Sequence, residues 1–174
     1  MCDSEPAGYP GHATITNRYL RLRYRGPMRH IERSADLPVT PDTVFAFVSD
    51  LSNLPQWQSG VTRAEQLTPG PMAVGSTARV ERRLMGQQIE ADLRITELDP
   101  PRHLELATEA GGMKVGLTLD VTASGTDASR ITFGMDIAGG GLFGGAMEGM
   151  VAGAAESDLD ASLTRLREAL TSAS

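Results

Sequence analysis

Six consecutive segments between residues 61 and 137 have strand character and are separated by turn residues, and several of them alternate cleanly between apolar and polar side chains. In the segment 89–95, isoleucine, alanine or leucine occupies every second position and a charged residue stands at each position between. A period of two is typical of strands that have one buried face and one wetted face. The sequence therefore predicts six antiparallel strands, at 61–67, 76–85, 89–98, 103–109, 113–122 and 129–137.

A sheet with one apolar face needs a second layer to cover it, and the C-terminal segment is suited to that role. Residues 142–170 contain no proline, and leucine recurs at helical spacing at 159, 163, 166 and 170. Before the six segments, residues 30–39 have the pattern of a strand, Thr40 and Pro41 mark the start of a short helix, and a second short helix surrounds Pro55. This order predicts an α+β fold: a curved antiparallel sheet of about seven strands wrapped around a long C-terminal helix, with two short helices between strands 1 and 2.

The first 29 residues differ from the rest of the chain in charge. They hold five arginines against two acidic residues, whereas the whole chain has a net charge of −6, so the remainder carries −9. An acidic body argues against nucleic-acid binding. We predict a flexible basic extension at 1–29 and a folded ligand-binding domain at 30–172, and a chain that begins at Met28 should melt within a few degrees of the full-length protein. The alternating residues 18–25 leave a short strand, or a basic arm that contacts an acidic partner, as alternatives.

The chain carries no signal for a membrane or an export route. No apolar run approaches the length of a bilayer-spanning helix, and the N-terminus lacks the apolar centre of a signal peptide. We therefore expect a cytoplasmic protein with no transmembrane segment. The oligomeric state stays open.

Five sequence blocks follow one another along the chain: TPDTVFAFVSDLSNLPQW, LTPGPMAVGSTARV, ITELDPPRHLEL, SGTDASRITF and LTRLREAL. Their order and spacing resemble the polyketide cyclase/dehydrase branch of the START-like (SRPBCC) superfamily, over residues 30–170. The resemblance implies a helix-grip fold, in which the sheet grips the long helix around an internal cavity for an apolar ligand.

Motifs for metal, covalent and phosphate chemistry are missing from the sequence. His12, His30 and His103 are not paired with another ligand at helical spacing, so we predict no metal site. The single cysteine, Cys2, lies in the extension, and no serine stands in a nucleophile-elbow sequence. His103 and Glu105 alternate onto the wetted face of their strand. We predict no cofactor, and any catalytic residues are unknown.

Two arginines fall on predicted inward faces. Arg82 shares the apolar side of its strand with Leu84, and Arg33 occupies the same kind of position on the first strand. An arginine on an apolar face needs a partner, and Glu148 or Glu156 of the long helix could reach Arg82. We expect Arg82 at the cavity wall or mouth, where it orients the polar end of the ligand through hydrogen bonds to a carboxylate, carbonyl or phenol oxygen.

The other predicted cavity residues are mostly apolar. Methionines would give a soft, adaptable wall. The only tryptophan lies in the stretch DLSNLPQWQSGV and either anchors that stretch in the core or contributes its ring to the cavity. The predicted set is Arg82, Trp57, Arg33, Leu84, Met113, Leu117, Phe133, Met135, Met147 and Met150.

These features favour the binding of a small hydrophobic or amphipathic molecule, such as a lipid or polyketide, by a carrier or sensor. A polyketide cyclase or dehydratase is the alternative, because such chemistry can rely on cavity shape and one or two polar groups. A protein-interaction adaptor that uses the basic extension is a second alternative.

Overall fold

The computed structural model describes residues 17–26, 28–84, 86–110, 113–138 and 145–172, without the side chains of 84, 110 and 145–152. The helices are α1 (Arg18–Arg23), α2 (Pro41–Ser49), α3 (Leu54–Trp57) and α4 (Gly145–Ser172), and a 3-10 turn spans Leu51–Asn53. The strands are β1 (Met28–Leu37), β2 (Val61–Gln66), β3 (Thr77–Leu84), β4 (Gln87–Asp99), β5 (His103–Ala110), β6 (Met113–Ala123) and β7 (Ser129–Ala138).

The seven strands form one antiparallel sheet in the order β1-β7-β6-β5-β4-β3-β2. Strand neighbours therefore follow the chain, except that β1 joins the far edge beside β7. α4 packs mainly against β1 and α3, and its leucines at 159, 163, 166 and 170 are all buried. The predicted helix-grip fold, with about seven strands and short helices between β1 and β2, is confirmed.

Trp57 anchors the connection between the short helices and the sheet. Its side chain is 1% exposed, and its ring meets Phe133 of β7 edge to face, with 5.7 Å between the ring centroids. Pro55 lies in the first turn of α3, where its missing N–H costs nothing. Trp57 thus joins α3 to the strand at the far side of the core, as a core aromatic does.

The segment before β1 is a docked helix, which differs from the strand that its alternation suggested. Asn17 caps α1 through its side-chain oxygen, which accepts from the Leu20 N–H at 3.0 Å. Asn17 and Leu20 are both buried against Gly116 of β6; a Cβ at Gly116 would lie 2.5 Å from the Asn17 Cγ. Only glycine leaves room there, so α1 lies directly on the outward face of the sheet.

Hydrogen bonds fix α1 in this position. The Asn17 amide donates at 3.2 Å to the carbonyl oxygens of Leu106 and Leu117, and its backbone N–H donates to the Asp136 carboxylate. The Glu105 carboxylate accepts from the first backbone N–H groups of α1, at 2.8 and 3.3 Å. The packed part of the chain therefore begins at Asn17 rather than at residue 30, so a chain that begins at Met28 would lose these contacts, and the expectation that it melts like the full-length protein no longer follows. Glu105, at 3% exposed, is buried rather than wetted. Flexibility at 1–16 stays a prediction, because those residues lie outside the described part.

In the part of the chain that the structure describes, no helix is both long enough and apolar enough to cross a membrane.

The first testable prediction concerns Asn17. Asn17→Ala removes the cap of α1 and its amide bonds to the sheet, so we expect a loss of about 1–3 kcal/mol in the free energy of unfolding and a fall in Tm of about 2–10 °C. Thermal unfolding followed by circular dichroism measures the change. Arg21→Ala on the exposed side of α1 is the matched control, and equal melting of both variants would show that the docking of α1 contributes nothing to stability.

Candidate functional site

A cavity of about 410 Å³ lies on the inward face of β3–β6, within the range of small-molecule sites. Eight of its lining residues are apolar: Val61, Val80, Ile89, Ala91, Leu93, Met113, Val115 and Leu117. Four are polar: Gln58, Arg82, Glu90 and Thr108. The wall is therefore mainly apolar with a few fixed polar positions, which is the usual composition of a site for an apolar ligand.

The structure separates the predicted cavity residues into two groups by location. Arg82, Met113 and Leu117 line the cavity. Arg33 does not line it and pairs with Glu156 and Asp160 of α4, on the β1 side of the helix. The other described members, Trp57, Phe133 and Met135, are packed in the core and do not line this cavity. The side chains of Leu84, Met147 and Met150 lie outside the described part. A role of any of these residues in binding remains a prediction.

Strand register places Arg82 on the inward face, as the alternation predicted. It stands opposite Ile89 of β4 and Val61 of β2. Its partner is Asp158, with 2.9 Å between Nη2 and Oδ2, rather than Glu156; the side chain of Glu148 lies outside the described part. Glu156 instead pairs with Arg33 at 2.9 Å. Two residues are about 200° of rotation on a helix, so positions 156 and 158 face opposite sides, one towards β1 and the other towards β3.

A short loop between α3 and β2 ties this pair to the rest of the site. The Ser59 hydroxyl donates to Asp158 Oδ1 at 3.4 Å, and the Ser59 backbone N–H donates to the Ser162 hydroxyl at 2.9 Å. Gly60 adopts φ +78°, and a Cβ there would stand 3.0 Å from the Arg83 carbonyl oxygen. The glycine is therefore needed for the turn that brings residues 58–60 beside Arg82.

Three polar side chains of the wall keep a buried atom that finds no hydrogen-bond partner among the described residues. These atoms are Gln58 Oε1, Arg82 Nε and Thr108 Oγ1. Gln58 is 4% exposed. Thr108 follows Leu104 and Leu106 on the inward side of β5, so strand alternation could have identified it. No periodic pattern marks Gln58, which lies in the loop.

A second polar cluster lies on the outward face, under α1. His103 Nδ1 stands 2.8 Å from Asp120, and Nε2 stands 3.6 Å from Glu105. The hydrogen bond to Asp120, followed by that to Glu105, raises the pKa of His103 to about 10. Burial alone would raise the pKa of Glu105, but the hydrogen bonds from His103 and from the backbone of Arg18 and Tyr19 outweigh it and lower that pKa.

This outward cluster fits a structural role better than a metal site. Glu97, His103 and Glu105 bring ligand atoms within 4.8 Å of one another. A protonated imidazole, however, has no lone pair for a metal, and Glu105 already accepts from α1. The cluster therefore holds α1 on the sheet.

The arrangement of the sheet, the long helix and the inward cavity defines a helix-grip protein of the START-like class. The chain belongs to the family described as polyketide cyclase / dehydrase and lipid transport, whose sequence model matches residues 28–171. It is 32% identical over 148 residues to the uncharacterized protein Rv1546 of Mycobacterium tuberculosis strain H37Rv, a match that covers 81% of this chain and 98% of that protein. The family predicted from the sequence blocks is thereby confirmed.

Solved structures with low sequence identity share the fold. A START superfamily protein from Mycobacterium smegmatis superposes with a TM-score of 0.72 at 15% identity, over 83% of this chain and 99% of that one. The Zhui aromatase/cyclase from Streptomyces sp. R1128 gives a TM-score of 0.71 at 15% identity, over 83% of this chain and 94% of that one. At such identities the likeness establishes the fold and leaves the chemistry to the site itself.

The second prediction concerns pH. The pKa of His103 is raised from 6.5 to about 10 in the folded protein, so its contribution to stability is complete below about pH 6.5, declines as the pH rises, and is lost above about pH 10. His103→Gln should flatten the fall in unfolding free energy between these limits, as urea titrations at several pH values would measure. Arg130→Gln removes an exposed cation of the outward face that does not titrate in this range. This control should shift the unfolding free energy by a similar amount at every pH. If the His103→Gln variant showed the same slope against pH as the unsubstituted protein, the raised pKa of His103 would be refuted.

Proposed function

We propose that this protein binds a small apolar or amphipathic molecule in the cavity on the inward face of β3–β6, as a carrier or sensor. The observation that carries the proposal is a cavity of about 410 Å³ with eight apolar side chains in its wall. Transfer of an apolar molecule from water onto such a wall is favourable by about 25 cal/mol per Å² of apolar surface buried. Membership of a family described as including lipid transport supports the same conclusion.

The packed core around the cavity favours reversible binding. Around it, the core is packed with fully buried side chains, including Leu106 of β5 and Leu119 of β6. A packed core resists collapse into the space, because side chains in well-packed interiors have few other places to go. The cavity would therefore keep its shape between binding events.

A cyclase or dehydratase is the second candidate, and the polar atoms of the wall are the observation in its favour. Gln58, Arg82 and Thr108 could hold a reactive carbonyl chain in one conformation. The Zhui aromatase/cyclase has the same fold. Glu90 is the one carboxylate residue among the described residues of the wall. Its side chain is exposed and stands 3.4 Å from Arg79, so it is not placed to act on a ligand in the cavity. Mass spectrometry of the ligand after incubation with the protein separates the two candidates. A carrier returns its ligand unchanged, whereas a cyclase or dehydratase returns a product.

The third prediction tests the cavity. Ala91 is 9% exposed, stands opposite Val80 and lines the wall. Ala91→Phe adds a ring in the cavity, so binding of an environment-sensitive fluorescent fatty-acid probe should fall at least about ten-fold, while the unfolding free energy changes by less than about 2 kcal/mol. Fluorescence titration and thermal unfolding give the two values.

Ala46→Phe is the matched control, since it adds the same ring to an exposed position of α2. It should leave probe binding unchanged. Equal binding by the Ala91→Phe variant and the unsubstituted protein would place the ligand elsewhere.

A further inference from the structure

One end of the cavity is polar, and two side chains form it. Gln58 and Arg82 both line the cavity, and the loop that carries Gln58 runs beside the Arg82 guanidinium. A Cβ on Gly60 would stand 3.5 Å from Arg82 Nη2 and 3.9 Å from Nε. Thr108 is on β5, which lies on the other side of β4 from β3, so it is a separate polar position. The polar end is thus made of Gln58 and Arg82.

Each of these two side chains has one unused hydrogen-bonding atom. Gln58 Oε1 is an acceptor and Arg82 Nε–H is a donor, and both are buried with no partner in the described residues. Gln58 is 4% exposed, so bulk solvent does not reach it. Buried polar groups are almost always hydrogen-bonded, and a buried donor or acceptor without a hydrogen bond destabilises the protein. The pair therefore points to a ligand atom that both donates and accepts.

The charge of the polar end disfavours an anion. The Nη2 atom of Arg82 is bound to Asp158 at 2.9 Å, so the cation is already neutralised. A ligand carboxylate would share Arg82 with Asp158 and be repelled by it, and it could not donate to Gln58. An ammonium group could donate to Gln58 but could not accept from Arg82.

We propose that the cavity selects a ligand whose polar end is a neutral hydroxyl, a phenol or an alcohol, which donates to Gln58 Oε1 and accepts from Arg82 Nε. A hydroxyl is the simplest group with one donor and free acceptor lone pairs. This inference rests on the proposed function and narrows it, because it replaces an unspecified amphipathic ligand with one chemical class. It also narrows the expected role of Arg82, which the sequence left open between carboxylate, carbonyl and phenol oxygen.

Four probes with one ring system test the proposal. Isothermal titration at pH 7 would compare 2-naphthol, 2-naphthoate, 2-acetylnaphthalene and 2-methylnaphthalene. We expect 2-naphthol to bind at least about ten-fold more tightly than each of the others, the scale of one well-placed hydrogen bond to a charged group. Tighter binding of 2-naphthoate or 2-acetylnaphthalene, or equal binding of 2-naphthol and 2-methylnaphthalene, would overturn the hydroxyl proposal and leave the apolar cavity intact. Failure of all four to bind would contradict the proposed function itself.

Two substitutions test the residues. Gln58→Leu should remove the advantage of 2-naphthol over 2-methylnaphthalene and leave 2-methylnaphthalene binding within about two-fold. Gln88→Leu, at an exposed position of β4, is the matched control and should retain the advantage. A Gln58→Leu variant that keeps the full preference for 2-naphthol would contradict the assignment of Gln58.

Asp158→Asn gives an independent result that does not depend on the folding of Gln58→Leu. The asparagine keeps the shape of the side chain but leaves Arg82 with an uncompensated positive charge. Binding of 2-naphthoate should then strengthen at least about five-fold while that of 2-methylnaphthalene stays unchanged. Unchanged 2-naphthoate binding would show that Asp158 does not control the charge of the polar end.

Discussion

The structure depends on how one helix covers the inward face of a seven-stranded sheet. Six strand spacings of about 4.8 Å make the sheet about 29 Å wide, whereas a helix with its side chains is about 10 Å across. α4 packs mainly against β1 and α3, and the inward faces of β3–β6 line open space. The cavity is therefore a consequence of this mismatch in width, and it lies outside the main contacts that α4 makes with β1 and α3.

The Arg82–Asp158 pair connects the two layers beside that cavity. It joins β3 to α4 at 2.9 Å, and the loop residue Ser59 adds a hydrogen bond to the same carboxylate. Both charges are partly buried, which would be costly if either were alone. Because each satisfies the other, the pair gives the cavity a polar end without giving it a net charge. Under the proposed function, the contact that joins the helix to the sheet would also select the ligands that the site accepts.

Strand alternation predicted most of the fold and the inward position of Arg82. It succeeded because one face of each strand is buried and the other is not, so the period of two is preserved. It could not identify the partner of Arg82, since Asp158 and Glu156 differ only in rotation about α4. It also mispredicted Glu105 as wetted, because a pattern within one strand does not report what packs on its outward face. α1 is six residues long, too short for helical periodicity to be distinguished from alternation.

The most direct measurement of the central claim is the location of a bound apolar molecule in solution. Intermolecular nuclear Overhauser effects between the ring protons of bound 2-naphthol and the protein's methyl groups would give that location. The account predicts contacts to the cavity wall, at Val80, Leu93 and Leu117. The exposed large apolar side chains of the described surface are Leu22, Leu67 and Val74. Contacts of 2-naphthol with these side chains instead of the cavity wall would contradict the account.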